Sequence, residues 1–127
     1  MPNYQGVWSL SEQYQNASGW PDATAELGLF VGLSGANTIN KVDIASSGNA
    51  IDFGDMLSAA GQRGTCATKY SAIAGGGGSN INNIESFSFT TSGTAADFGD
   101  LTVGRTELSG FNSATRGIFI GGDNGSY

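Results

Sequence analysis

The sequence predicts an all-β protein built from antiparallel, four-stranded, blade-like meanders that repeat about every 45 residues. Three observations predict it. Asp52-Phe53-Gly54-Asp55 returns as Asp97-Phe98-Gly99-Asp100, a spacing of 45 residues. The match extends upstream: Ile39, Ser47, Gly48 and Ala50 recur as Ile84, Ser92, Gly93 and Ala95, and Ile44 is answered by the apolar Phe89. The composition is that of short strands and tight turns, with 21 glycines in 127 residues and no long amphipathic helical pattern.

The elements of one unit follow in order. Each unit begins with a short apolar run ending in glycine, seen three times as Leu29-Phe30-Val31-Gly32, Ala72-Ile73-Ala74-Gly75-Gly76 and Ile118-Phe119-Ile120-Gly121-Gly122. Lys41-Val42-Asp43-Ile44 and Glu85-Ser86-Phe87-Ser88-Phe89-Thr90 alternate polar and apolar side chains, as half-buried strands do. Ser47-Gly48-Asn49 and Ser92-Gly93-Thr94 are turns leading to return strands that carry Phe53 and Phe98. Segments 61–66 and 107–112 are weaker strand candidates, leading into 69–75 and 115–121. That makes four strands per period, the size of a propeller blade. Phe53 and Phe98 are expected at equivalent buried positions, as are Ile44 and Phe89. The flanking aspartates suit Asx turns, with Gly54 and Gly99 permitting the bend. The run Gly75-Gly76-Gly77-Gly78-Ser79 lacks the Gly-Lys-Ser/Thr ending of a phosphate loop and opens no helix, so it is a flexible connection between strands.

Residues 27–127 hold about two and a half units, fewer than the roughly 4–8 blades of a closed propeller, so either more repeats follow in a longer chain, as the pattern suggests, or copies assemble, or the units stack openly. Residues 1–26 lie outside the repeat and contain Trp8 and Trp20, Tyr4 and Tyr14, and both prolines. Ser9 and Glu12 have capping-box spacing, which allows one short helix over 9–15. Two readings of this segment are open from its residues: a flap over the first unit, or a docking arm. In the second, Trp8, Tyr14 and Trp20 are the partner-binding residues, since each aromatic buries about 150–250 Å² and such anchors dominate interfaces.

The remaining chemistry is mostly exclusion. The chain has no histidine, which removes the Ser-His-Asp triad and the common zinc sites. Acidic residues recur with the repeat, whereas an active site is made once; no catalytic residue, metal or cofactor is expected. Cys66 is alone and reads as a small buried or half-buried thiol. Net charge is −6, and Lys41, Arg63, Lys69, Arg105 and Arg116 are dispersed, so no nucleic-acid patch is expected. No apolar run reaches membrane-spanning length, and no signal peptide or membrane insertion is expected.

Two resemblances follow from these residues. The Gly75-Gly76 and Gly121-Gly122 doublets after apolar strands, with Arg105 near the unit junction, resemble Kelch-type propeller repeats, although the usual Tyr and Trp are missing and Ala60 stands where Arg105 aligns. The opening Gly6-Val7-Trp8-Ser9-Leu10-Ser11-Glu12-Gln13-Tyr14-Gln15, followed by Trp20-Pro21 and the repeats at 47–57 and 92–101, is similar to virion structural proteins of tailed phages of marine bacteria, especially cyanobacteria. That resemblance implies a non-enzymatic tail fibre or appendage. It would be anchored by its N-terminus to other virion proteins, homo-oligomeric, located in the virion, and directed at a host glycan or receptor. The competing class is a glycan-binding or glycan-acting propeller free of any particle; the scarcity of aromatics other than Phe in the repeats offers it few sugar-stacking platforms.

Overall fold

The structure, a computed structural model, describes residues 27–32, 35–68 and 70–126. These residues form ten strands: β1 Leu27–Phe30, β2 Thr38–Asp43, β3 Ile51–Asp55, β4 Gly64–Ala67, β5 Ser71–Gly75, β6 Asn83–Ser88, β7 Gly93–Thr94, β8 Ala96–Asp100, β9 Thr106–Asn112 and β10 Gly117–Asp123. No helix occurs among the described residues. The docking arm and the helix expected within residues 1–26 lie outside them.

The strands form three open sheets: a first sheet β1-β2-β3-β7, a central sheet β4-β5-β6-β8, and a third sheet of β9 and β10. Every pair is antiparallel except β3–β7. The 45-residue spacing is written into the register. In the first sheet Ile39 pairs with Gly54 and Asn40 with Asp52; in the central sheet Ile84 pairs with Gly99 and Glu85 with Asp97. In both, the pairing steps over the phenylalanine, so Phe53 and Phe98 are the extra residues of matching β-bulges. Backbone bonds repeat too: Met56 N donates to Asn37 O as Leu101 N does to Asn82 O. Gln62 and Glu107 share a left-handed backbone, φ 59° and 58°, and stack, the Gln62 Nε2 donating to Glu107 Oε1 at 3.1 Å.

Packing follows from which face each strand presents. On β5, Ala72 and Ala74 turn toward the first sheet, and their small side chains leave room for Ile39, Phe53 and Met56; Phe87 and Ala95 complete this core. The opposite face of the central sheet meets the third sheet. There β10 lies so close that a Cβ on Gly117 would be 3.1 Å from Ile73 Cδ1, and the Phe119 ring sits over Gly64 and Gly75. Cys66 is buried at this second contact, its Sγ 3.4 Å from Phe111 O.

Several expectations are corrected. Phe98 is 64% exposed, whereas Phe53 is 6% exposed. Phe53 lies under the central sheet with Phe87 and Ala95, while among the described residues no strand beyond β10 covers the matching position on the central sheet. Ile44 falls past the end of β2 and is exposed, whereas Phe89 packs against the core and meets Phe87 edge to face at 6.4 Å. Gly93–Thr94 is more than a turn: it forms a parallel ladder with β3 and ties the first sheet to the central one. The loop after β5 is tethered, with Gly76, Gly77 and Gly78 donating to Asn83, Arg105 and Gly61 carbonyls.

Candidate functional site

The repeated acidic loops are the first place to look for chemistry, and the first carboxylate of each, with the main-chain carbonyl of Asp55, is tied into the backbone. Asp52 Oδ1 accepts from Gly54 N and Asp97 Oδ1 from Gly99 N, both at 3.1 Å. Asp55 O accepts from Ala95 N at 2.7 Å. These Asx turns brace the bulge that re-aims the phenylalanine. No cluster of three or more His, Cys, Asp or Glu residues suited to a metal occurs among the described residues.

The concentrated polar chemistry is a buried cluster that the sequence reading missed. Glu85, fully buried on β6, pairs with Arg63 at 3.1 Å, the side chains 0% and 1% exposed. The carboxylate also accepts from Leu57 N at 2.6 Å, from Asn83 Nδ2 at 2.5 Å and from Ser58 Oγ. Arg63 Nη2 donates to Ser58 O at 2.9 Å and Ser58 Oγ at 2.7 Å, and Nε to Ala60 O at 3.2 Å. Arg63 Nη1 is buried without a hydrogen-bond partner among the described residues. The chain after β3, the chain before β4 and the middle of β6 are thereby clamped together.

A signal for this cluster existed. One period away, Leu108 stands at the place of Arg63 and Asn40 at the place of Glu85. A unit that gains both an acid and a base at positions its neighbours keep neutral is a unit with an internal ion pair. The structural positions agree, because Arg63 packs against Gly32 much as Leu108 packs against Gly76. Sealed from solvent and fully engaged, the Glu85 carboxylate is placed to hold strands and not to meet a substrate.

The accessible site lies elsewhere. At the end of the central sheet, where β6, β7 and β8 meet, a groove of about 450 Å³ is lined by the hydroxyl-bearing residues Ser71, Ser86, Ser88, Ser92 and Thr94 and by apolar Ile73, Phe87 and Phe98. Phe98 also borders a smaller hollow of about 160 Å³ that contains Asn112 and Arg116. Phe98 thus stands between two hollows, one bordered by serine and threonine residues and one by Asn112 and Arg116. The sequence reading made Phe98 a core anchor; exposure makes it the one phenylalanine of the repeated loops available to a ligand. Trp8, Tyr14 and Trp20 lie outside the described residues.

No protein-family model matches the chain, and no curated protein matches it.

Proposed function

We propose that this chain is a non-enzymatic structural component of a tailed-phage virion, a tail fibre or related appendage. It is held to other virion proteins through residues 1–26, with Trp8, Tyr14 and Trp20 as anchors, and presents its repeats outward for host attachment. The three sheets are then Kelch-like propeller blades, a reading supported by the four-stranded antiparallel central sheet, in which β8 follows β6 once β7 has paired with the first sheet, and by the matching bulges of the first two sheets. The observation that carries the non-enzymatic reading is that the most concentrated charged groups serve architecture: Asp52 and Asp97 cap the bulges, and Glu85 and Arg63 form a buried clamp.

The test is incorporation. Trp8→Ala, or deletion of residues 1–20, is expected to leave the strand signature in circular dichroism intact while the chain disappears from purified particles. A truncated chain that still enters particles but melts at lower temperature makes the segment a flap over the first sheet and removes the anchor.

A second reading is favoured by the groove itself: a glycan-binding module free of any particle. It predicts that the purified protein binds a polysaccharide as a monomer and that Phe98→Ala abolishes the binding. An appendage that uses this groove only on the particle would bind the same ligand measurably only when multivalent.

A further inference from the structure

The sheets of this chain stack by one rule, used twice, and the rule leaves two faces without a partner. Leu29, opposite Lys41, and Ile73, opposite Ser86, occupy corresponding places on β1 and β5. Both point forward, toward the next sheet: Leu29 packs on the core formed with the central sheet, and Ile73 lies under Gly117 of the third. The neighbours Phe30, opposite Asn40, and Ala74, opposite Glu85, point backward, and Ala74 is fully buried against the first sheet. On β10 the same alternation makes Phe119 the backward residue, seated on Gly64 and Gly75, and Ile118 and Ile120 the forward ones.

Forward face meets backward face at both contacts inside the chain. Among the described residues the forward face of the third sheet is bare, with Ile118 47% and Ile120 49% exposed, and so is the backward face of the first, with Phe30 61% exposed. Beside it, at the β1 edge, lies a depression of about 280 Å³ lined by Phe30, Val31, Gly32, Thr38 and Asn40. Isolated exposed apolar residues are ordinary, but these two faces are the forward and backward kinds that meet at both contacts inside the chain, with Phe30 standing where Ala74 does on the central sheet.

We propose that the chain assembles head to tail, the forward face of the third sheet in one copy packing on the backward face of the first sheet in a second copy. The occupant of each bare face is then another copy of this chain. The contact is heterologous, so it gives a closed ring where the rotation per copy closes and an open filament where it does not. The inference rests on the homo-oligomeric part of the appendage reading. Its test reads association of the purified chain and not incorporation into a particle, so either can fail while the other stands.

Sedimentation velocity of the full chain from low to high micromolar concentration is the experiment. The expected result is species heavier than the 12.9 kDa monomer, lost in Phe30→Asp and, separately, in the double variant Ile118→Asp/Ile120→Asp. Val103→Asp, an exposed apolar position in the loop after β8, is expected to keep the wild-type distribution. Mixing decides the geometry and also controls for folding: Phe30→Asp retains a forward face and the double variant retains a backward face, so the two together form a one-to-one dimer that grows no further. A wild-type chain that stays monomeric throughout, a variant that keeps the wild-type assembly, or a mixture that remains monomeric overturns the proposal.

Discussion

Replacing Glu85 by Ala should be among the most damaging single changes in the described chain. The substitution removes the acceptor of four hydrogen bonds and leaves the Arg63 guanidinium buried, 1% exposed, with no opposing charge. Breaking a buried ion pair from one side costs about 3–5 kcal/mol, since the surviving charge keeps its desolvation penalty without the attraction. Against a total stability of about 5–15 kcal/mol for a single domain, that is a large share. For a chain of this size it corresponds to a fall in melting temperature on the order of 10–20 °C. The double variant Arg63→Leu/Glu85→Asn installs the residue types found one period away, Leu108 for Arg63 and Asn40 for Glu85. It should cost less than the sum of Arg63→Leu and Glu85→Asn by at least about 1 kcal/mol. Chemical denaturation of the wild type, these two singles and the double, with one shared m-value, provides the cycle, and Glu85→Ala is measured beside it. If Glu85→Ala costs under about 1 kcal/mol, or the double change equals the sum of the singles, the clamp is not the structural device described here.

The internal repeat supplies further matched pairs. Phe53→Ala should cost about 3–5 kcal/mol, whereas Phe98→Ala, the same residue in the same loop one period later, should cost within about 0.5 kcal/mol; denaturant midpoints distinguish them. Gly54→Ala should be severe, because a Cβ there would lie 2.1 Å from Gly93 O, and Gly99→Ala milder, because nothing lies within 4 Å of a Cβ at that site. Both glycines carry positive φ, 156° and 142°, so the difference between their melting temperatures isolates the β3–β7 contact from the backbone cost. Cys66 is buried where the central and third sheets meet, so a thiol reagent should label it only as fast as these sheets separate; immediate labelling of the native protein would mean the third sheet is not seated on the central one.

Much of the architecture was legible in the sequence because it repeats. Glycines at fixed offsets, alternating strands and the Asp-Phe-Gly-Asp element foretold paired strands and a bend, and the registers of β2–β3 and β6–β8 match position for position. What could not be read was context. Phe53 and Phe98 have the same neighbours in sequence, and only the sheet lying over one of them makes it core. Ile44 resembles a strand residue but falls past the last residue of β2 to pair with β1, Asp43. The bulge was hidden for a different reason: stepping over one residue is a property of the partner strand and leaves no mark on local pattern. The Arg63–Glu85 clamp is marked in the sequence as a paired departure from the repeat, but nothing local shows that two residues 22 positions apart meet in a buried place. The groove beside Phe98 emerged only with the structure, since its hydroxyls come from β5, β6, β7 and the turn between β6 and β7.

The central claim is that this chain belongs to a phage particle and works on its outside. Electron microscopy of native particles with the chain tagged in the exposed loop after β8 and gold-labelled tests it directly. The account predicts label at the tail or its appendages, at a fixed distance from the attachment point and in symmetric copies. Label that never co-purifies with particles, together with a soluble protein that cleaves or tightly binds a polysaccharide as a monomer, would contradict it.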